Sequence, residues 1–366
     1  MTQSGRCVGC RGLLRSGTFY PPACRMVRCH TGLRAERAGY FGQRLSLTSE
    51  SFKTRSKKRD IQRLKLRWRL RMSLFRIIYA PLYFLGFVGG AALLVMSGAS
   101  PLLLVALLLV AIAASLMAER IAPFEPVWNR SHGDASRDVA HGLVNEGSII
   151  LLVLLLPFFA SLVPWPSIWP TSLPFWAEVL LAIILLDAGI SSAHFASHRV
   201  PLLWRFHAVH HSVLRLYGFN GLLKHPIHQL IEISVGTLPW LLMGIPQDVA
   251  LVGAFAVAIQ LQLQHSNVDM RVGPLAYLWA VAPVHRHHHL ASETEGDVNF
   301  GLFFTVWDVL LGTAQFRSSD NVRAGKVGID GRSDYPTAYF AQLLEPFQPT
   351  APVTSTSAKA ATGLPK

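Results

Sequence analysis

The chain has 366 residues, of which 51% are apolar and 15% charged, and its mean hydropathy is +0.34. This composition is too apolar for an ordinary soluble protein and predicts an integral membrane protein. Residues 1–71 hold 18 of the 34 Lys and Arg but only 3 of the 21 Asp and Glu, so this segment carries the excess of positive charge. The remainder, with 16 basic and 18 acidic residues, has no polycationic surface, which excludes a nucleic-acid-binding function for it.

The basic segment 1–71 shows no apolar periodicity long enough for a core, and we expect it to be disordered. It fits a cytosolic tail, an Arg-rich transit-like leader, or an upstream extension of a chain that starts at Met72. All four cysteines lie within its first 29 residues, and their spacing leaves a zinc site open as an alternative. Five positive charges between Arg63 and Arg71 are typical of a juxtamembrane anchor on anionic lipid.

Four apolar segments are long enough to span a bilayer as helices, namely 77–97, 101–118, 147–165 and 175–193. Two shorter segments, 230–245 and 248–264, are joined through Pro246 and predict a hairpin whose two ends emerge on one side. The predicted fold class is therefore all-α. It is an integral membrane helical bundle of four long spans plus a short hairpin, with a His-rich helical cap on the cytosolic side.

The basic residues after Met72 set the predicted orientation. With residues 1–71 inside, the crossings place 119–146, 194–229 and everything after 265 on the same side. All 16 Lys and Arg beyond Met72 then lie on that side, as the positive-inside rule requires. We therefore expect a multi-pass membrane protein with both termini and the histidine-rich boxes in the cytosol.

The same features divide the chain into four predicted parts. They are the basic segment 1–71, the first transmembrane hairpin with its cytosolic loop (72–146), the membrane catalytic domain (147–317) and the C-terminal segment (318–366). The last part is low in complexity from about residue 345, and we expect disorder there.

Histidines are concentrated in one part of the sequence, because 12 of the 15 lie between residues 194 and 289. His194 and His198 are one helical turn apart, and two copies of H-x-x-H-H begin at His207 and His285. These spacings predict rings that share a helix face. The candidate metal ligands are His194, His198, His207, His210, His211, His225, His228, His265, His285, His288 and His289. His287 lies between ligating positions, and we expect it to point elsewhere.

Eleven imidazoles exceed the four to six ligands of one ion and predict a two-metal site. The body has no Cys, no H-E-x-x-H and no Glu-x-x-His pattern, which counts against iron–sulfur, zinc-protease and carboxylate di-iron centres. An all-histidine centre beside a lipid-sized apolar interior favours a redox metal that activates dioxygen against an alkyl chain. We expect no catalytic side chain beyond the metal ligands.

From Asp187 to Thr313 the motifs resemble the sterol desaturase and fatty acid hydroxylase superfamily. The stretch from His194 to His211 is similar to the family's first two boxes and their linker. Further similar elements are Gln264-His265-Ser-Asn267, Pro283-Val-His285-Arg-His287-His288-His289, Asp297-Val-Asn299-Phe-Gly301 and Trp307-Asp308-x4-Gly312-Thr313. Two positions depart from the family pattern, since Phe195 replaces an Arg and His228 replaces the carboxylate of a His-Pro-x-Glu element.

The resemblance implies two iron ions, dioxygen, a lipid substrate such as a sterol or a fatty acyl chain, and electrons from NAD(P)H through a reductase and a carrier protein. The side chains expected to orient the ligand imidazoles are Asp187, Asn267, Asp297 and Asn299. Asp187 lies two helical turns before His194, and a hydrogen bond to a neighbouring Ser is its alternative role.

The sequence therefore predicts a membrane oxidoreductase that hydroxylates or desaturates a lipid and has no nucleic-acid partner. The rival hypothesis is a metal transporter or metal-binding protein that uses the same histidine cluster. Transport sites lie near the bilayer midplane, whereas these boxes gather at one face. The rival is therefore the weaker hypothesis.

Overall fold

The structure is a computed structural model that describes residues 40–292, 294–318 and 321–349. Its described residues are mostly helical and contain no β-strand, only three isolated bridges. The long helices are α1 (Tyr40–Met96), α2 (Pro101–Ile121), α3 (Ala135–Ser161), α4 (Phe175–Arg199), α6 (Pro226–Met243) and α7 (Gln247–His265). The short helices are α5 (Pro201–His211), α8 (Ala282–His285), α9 (Val306–Leu311) and α10 (Tyr339–Leu344). This content confirms the predicted all-α class.

Four helices are long and apolar enough to cross a membrane: Ile61–Met96 within α1, and all of α2, α3 and α4. Large apolar side chains point outward along them, for example Leu82, Leu102 and Leu154, each at least 60% exposed. Such a surface suits lipid rather than water. The four predicted spans are confirmed, and the protein is an integral membrane protein. The predicted hairpin corresponds to α6 and α7, joined through Ile245 and Pro246.

The chain divides into two units, 1–64 and 65–366. In the first unit the described residues, 40–64, form the N-terminal part of α1. Residues 40–71 are thus helical where the sequence analysis expected disorder. From residue 43 to residue 80 the chain contains neither Gly nor Pro and is rich in Arg, Lys and Leu, so helix propensity suffices without an apolar face. The cysteine cluster lies outside the described residues.

The second unit is built around α7, which is buried on every side from Phe255 to His265. Helices α4 and α6 cross closely at Gly189 and Gly236. A Cβ atom on Gly189 would lie 2.5 Å from the carbonyl oxygen of Val235, so only glycine permits this approach. The close crossing brings the C-terminal turns of α4 beside the first turn of α6, where several of the histidines lie.

The C-terminal described residues pack against the helical cap. Glu345–Phe347 form a short 3₁₀ helix, Glu345 accepts a hydrogen bond of 2.6 Å from Arg332, and the Phe347 ring lies 5.6 Å from that of Phe206 on α5. Order therefore continues past residue 345, where we expected it to end, because these contacts hold the segment. Residues 350–366 lie outside the described residues.

Candidate metal centre

The histidine boxes converge from five elements onto one buried region. Helix α4 supplies His194 and His198, α5 supplies three histidines, α6 supplies His228, α7 supplies His265, and α8 with the turn after it supplies the last box. Apart from His198, each of these residues is at most 7% exposed. Residues almost a hundred positions apart in sequence are thus in contact, which the sequence spacing alone did not establish.

Five imidazoles form the first cluster, and each offers a nitrogen within 4.8 Å of the others. The members of the first cluster are His194, His198, His207, His211 and His288. The Nε2 atoms of His194 and His288 are 2.8 Å apart, those of His207 and His211 are 3.0 Å apart, and those of His198 and His211 are 3.2 Å apart. The cluster reaches the surface only at His198, whose side chain is 10% exposed.

Four imidazoles form the second cluster: His210, His265, His285 and His289. The Nε2 atom of His265 is 3.1 Å from that of His210 and 3.0 Å from that of His289. All four residues are at most 3% exposed. This cluster is the more deeply enclosed of the two, and His265 stands between its other members.

The tautomers of facing rings fit a cation. Nδ1–H of His194 donates to the carbonyl of Phe300 and that of His288 to the carbonyl of Val298 (2.8 and 2.9 Å), so both facing Nε2 atoms carry lone pairs. His210 and His265 face each other in the same way, because Nδ1–H of His210 donates to the carbonyl of Leu223 and that of His265 to the carbonyl of Leu261. Two lone pairs 3 Å apart repel unless a cation lies between them. Metal–nitrogen bonds of about 2.1 Å produce such ligand separations.

One loop serves both clusters. The carbonyls of Val298 and Phe300 accept hydrogen bonds from ligands of the first cluster, and the carbonyl of Asn299 accepts one of 3.3 Å from His285 of the second. Asn299 has a φ of 56°, and its amide Nδ2 donates to the carbonyls of Val284 and Gln315. This left-handed residue turns three consecutive carbonyls toward the ligands, an arrangement the sequence analysis missed.

Asp187 holds the same loop rather than a ligand. Its carboxylate accepts hydrogen bonds from the backbone N–H groups of Leu302, Phe303 and Phe304, and from Trp307 Nε1 at 2.6 Å. It also accepts one of 3.0 Å from Ser191, the alternative that the sequence left open. In the described part of the chain none of its hydrogen bonds involves a histidine. Its influence on His194 therefore passes through the backbone of the loop.

The other three predicted orienting residues have different surroundings. Asn299 contributes its backbone carbonyl, as described above. Asp297 forms an ion pair with Arg199 (2.6 Å) and lies 4.0 Å from Nδ1 of His198. Asn267 contacts no histidine among the described residues, because its amide bonds Glu125 and Asn129 and fastens the loop after α2. Thus Asp297 and Asn299 lie beside ligands, whereas Asn267 stabilises a neighbouring loop.

Three further histidines lie outside the two clusters. His228 contacts Ser197 (2.9 Å) and forms a third group with His207 and Glu232. His225 is not brought to either cluster. Its Nδ1 accepts the N–H of Ile227 and so caps α6, and its Nε2 donates to a backbone carbonyl. His287 points away, as expected, and its Nε2 donates to the carbonyl of Arg317 (3.2 Å).

The two H-x-x-H-H boxes do not present three rings to one ion. On α5, His207 and His211 join the first cluster and His210 joins the second, and in the last box His288 separates from His285 and His289 in the same way. Neighbouring helical positions differ by about 100°, so adjacent histidines can face two sites on either side of the helix. The prediction of one shared face per box was wrong.

The two positions that depart from the family pattern, Phe195 and His228, also have structural partners. Phe195 packs edge-on against Phe300 at 5.3 Å, and the guanidinium of Arg199 lies 4.5 Å from the Phe195 ring. His228 is 3.7 Å from Glu232, whose carboxylate also pairs with Lys224. Glu232, one turn after His228, thus places a carboxylate beside the histidines. The sequence signal for the Lys224–Glu232 pair was the presence of a charged residue, Glu232, near the start of the predicted apolar segment 230–245.

Burial keeps the imidazoles neutral. It lowers the pKa of His207, His210, His211, His285 and His289 well below 6.5, and neighbouring histidines lower it further. Burial also lowers the pKa of His288, to about 4. Because only a neutral imidazole offers a lone pair, the clusters are ready for metal at neutral pH.

An apolar cavity adjoins the centre. It is narrow, about 30 Å³, and is lined mainly by aliphatic side chains of α3, α4, α6 and α7. A smaller cavity of about 20 Å³ reaches His194, His207 and His265. The two cavities share the lining residues Ile190, Lys224, Glu232, Leu261 and Leu302. The apolar cavity therefore adjoins the one beside the histidines.

Comparison with known proteins identifies the protein family. A fatty acid hydroxylase family model matches residues 179–313. The ornithine lipid hydroxylase OlsE of Rhizobium tropici is 35% identical over 246 residues, which cover 64% of this chain and 73% of the relative. The chain therefore belongs to the fatty acid hydroxylase family, within the sterol desaturase superfamily, and the predicted resemblance is confirmed.

Other relatives are more distant. The cholesterol 25-hydroxylase of Rattus norvegicus is 26% identical over 209 residues, covering 53% of this chain and 68% of the relative. The alkylglycerol monooxygenase of Danio rerio is 30% identical over 155 residues, covering 41% and 31% respectively. No solved structure matches the chain. These three relatives are thus named for oxygenation of different lipids.

Proposed function

We propose that this protein is a membrane di-iron oxidoreductase that hydroxylates a lipid. One observation carries the proposal: two clusters of buried imidazoles, with Nε2 lone pairs turned toward one another, lie at the end of an apolar cavity. Hydroxylation is favoured over desaturation because the relatives reported above are named hydroxylases or monooxygenases.

The two clusters are the proposed metal ligands, one ion to each. Imidazole ligands suit iron, and iron bound there would activate dioxygen for attack on a C–H bond. The chain's own part is to fix the rings, through carbonyls such as those of Phe300 and Leu223, and to exclude water by burial. In this proposal neither His225 nor His228 binds an ion directly.

The proposed substrate is a lipid whose alkyl chain enters the apolar cavity. Its aliphatic walls discriminate poorly between chains, so the relatives guide the choice of substrate. The ornithine lipid hydroxylase is similar over 73% of its length, which makes ornithine lipid the first substrate to test.

The electron supply and the orientation complete the proposal. Residues 72–366 contain no G-x-G-x-x-G fingerprint, so NAD(P)H would act through a separate reductase and a carrier protein. The one-sided basic residues favour a cytosolic location for the clusters and both termini. The carrier would then approach from the cytosol.

The test is incubation of membranes that hold the protein with isotopically labelled dioxygen, NADPH and a reductase–carrier pair, followed by mass spectrometry of the lipids. We expect a labelled hydroxyl on a lipid, lost in His265→Ala and retained in His287→Ala. The metal content of the purified protein is measured in parallel. Protein that binds zinc alone and yields no labelled lipid with any donor pair would overturn the proposal in favour of metal handling.

A further inference from the structure

A second, polar cavity lies on the other side of the last histidine box. It is open and holds about 500 Å³, and four arginines line it: Arg271, Arg286, Arg317 and Arg323. We call this cavity the arginine pocket. It shares no lining residue with the cavity that reaches the histidine clusters. Its function is therefore separate from the alkyl-chain path.

The inner wall of the arginine pocket has unused hydrogen-bond donors. Arg286 is 1% exposed, and its Nη2 donates to the carbonyls of Ser266 (2.6 Å) and Val268 (2.7 Å). Its Nε is buried without a hydrogen-bond partner among the described residues, and so is Nη1 of Arg323. Buried guanidinium donors without an acceptor are costly, and both side chains belong to the lining of the arginine pocket.

The guanidinium groups of Arg286 and Arg323 lie close to one aromatic ring. The Cζ atom of Arg286 is 3.9 Å from the centre of the Phe124 ring, and that of Arg323 is 4.6 Å from it. Stacking on a ring fixes the direction of a guanidinium but does not neutralise it. Two like charges held beside the same ring favour an anion with several acceptor oxygens.

The charge balance of the pocket also favours an anion. Asp269 is the one acidic residue among its described lining residues, and it pairs with Arg76 of α1 at 3.0 Å. Exposed Arg271 and Arg317 add positive charge to the wall. We propose that the arginine pocket binds a phosphate group, carried either by a lipid headgroup or by free phosphate.

Phosphate fits better than an acidic protein surface. Arginine side chains line the pocket from several positions, and the tetrahedral oxygens of one phosphate can accept hydrogen bonds from more than one guanidinium, whereas a carboxylate side chain offers two oxygens in one plane. The ion pair with Arg76 places the pocket beside the basic end of the first span, the level at which lipid phosphates lie. The inference does not depend on the proposed oxygenation.

The experiment uses the full-length, metal-bound protein in detergent. Inorganic phosphate is titrated by calorimetry, and fluorescent phosphatidic acid in mixed micelles by anisotropy. The variants are Arg323→Gln and Arg317→Gln, with Arg130→Gln, an exposed arginine outside the pocket, as the matched control. Arg286 is left intact because it lies between histidines of the last box. Metal content and thermal unfolding of each variant report whether it folds.

We expect Arg323→Gln to weaken binding at least about tenfold, because it removes charge-assisted hydrogen bonds, while Arg130→Gln binds like the wild type. Tighter binding of phosphatidic acid than of phosphate would identify the lipid as the source, and the reverse would identify free phosphate. Failure of both ligands to bind, or equal binding by a folded Arg323→Gln, would overturn the proposal. The proposal would also be overturned if neither phosphate ligand bound while an acidic carrier protein bound the wild type but not Arg317→Gln.

Discussion

The two histidine clusters differ in number and in enclosure. The first has five members and reaches the surface at His198, whereas the second has four members and all are buried. The first draws on α4, α5 and the last box, and the second adds α7 through His265. The two clusters are therefore not equivalent, since only the first has a fifth imidazole and a member that reaches solvent.

The largest expected effect is that of His265→Ala. His265 lies between His210 and His289 and is the one α7 member of a four-residue cluster. We expect loss of about half the bound metal and a fall in turnover of at least about 100-fold, because the three remaining ligands hold the ion much less tightly and leave its geometry altered. Elemental analysis and lipid product formation measure both effects.

His287→Ala is the matched control for that variant. Its ring is buried but bonds only a backbone carbonyl, so metal content should stay unchanged. If His287→Ala lost as much metal as His265→Ala, the assignment of the clusters would be wrong.

Acidification should remove metal and then destabilise both clusters. Burial lowers the folded pKa of His288 from 6.5 to about 4, and it lowers the pKa of His285 and of His289 well below 6.5. The unfolded chain therefore binds more protons than the folded chain below pH 6.5. Stability of the metal-free protein should be constant above about pH 6.5 and fall toward pH 4, by about 1.4 kcal/mol per ring and pH unit.

Denaturant titrations of the metal-free protein between pH 5 and pH 8 would measure this dependence. His288→Gln, which cannot ionise, should have a shallower slope than the wild type below pH 6.5. A free energy of unfolding that rises on acidification would contradict the burial of neutral rings.

His198→Ala should be milder than His265→Ala. Four ligands remain in the first cluster after this change, so the ion should stay bound but dissociate faster. We expect a chelator to remove metal from the variant at least about tenfold faster than from the wild type. Release in the wild type should be biphasic, with the first cluster emptied before the enclosed second one. A single phase for all metal would remove the distinction between the clusters.

Asn299→Ala tests the element that the clusters share. Loss of the bonds to Val284 and Gln315 frees a loop whose carbonyls orient His194, His285 and His288. We expect metal affinity to fall about 10–100-fold at both clusters. Asn129→Ala, which removes hydrogen bonds at the loop after α2, is the control. An effect of Asn299→Ala on one cluster alone would contradict a shared role.

The smallest effect is expected for a chain that starts at Met72. Neither cluster includes a residue before His194, so this chain should insert, bind metal and retain turnover. Metal content per inserted protein is the measurement. Loss of metal from either cluster would show that the basic segment 1–71 contributes to metal binding.

Much of the fold and of the candidate site was predictable from sequence. Span length and apolarity predicted the four membrane helices, because crossing a bilayer imposes a length on each helix. Histidine spacing predicted the candidate ligands, and ordered motifs predicted the family. His225 and Asn267 show where spacing is insufficient, since each contacts backbone or amide groups of another element instead of a cluster.

The features that could be predicted from the sequence are local and periodic: the helices, the spans, the charge asymmetry and an excess of imidazoles near one membrane face. Tertiary structure alone decided that His210 and His211 face different clusters, and that Asp187 acts on the loop holding His194. It also placed three successive backbone carbonyls behind the ligands. The physical reason is that a carbonyl is present at every residue, so only the path of the chain decides which carbonyl meets a ring.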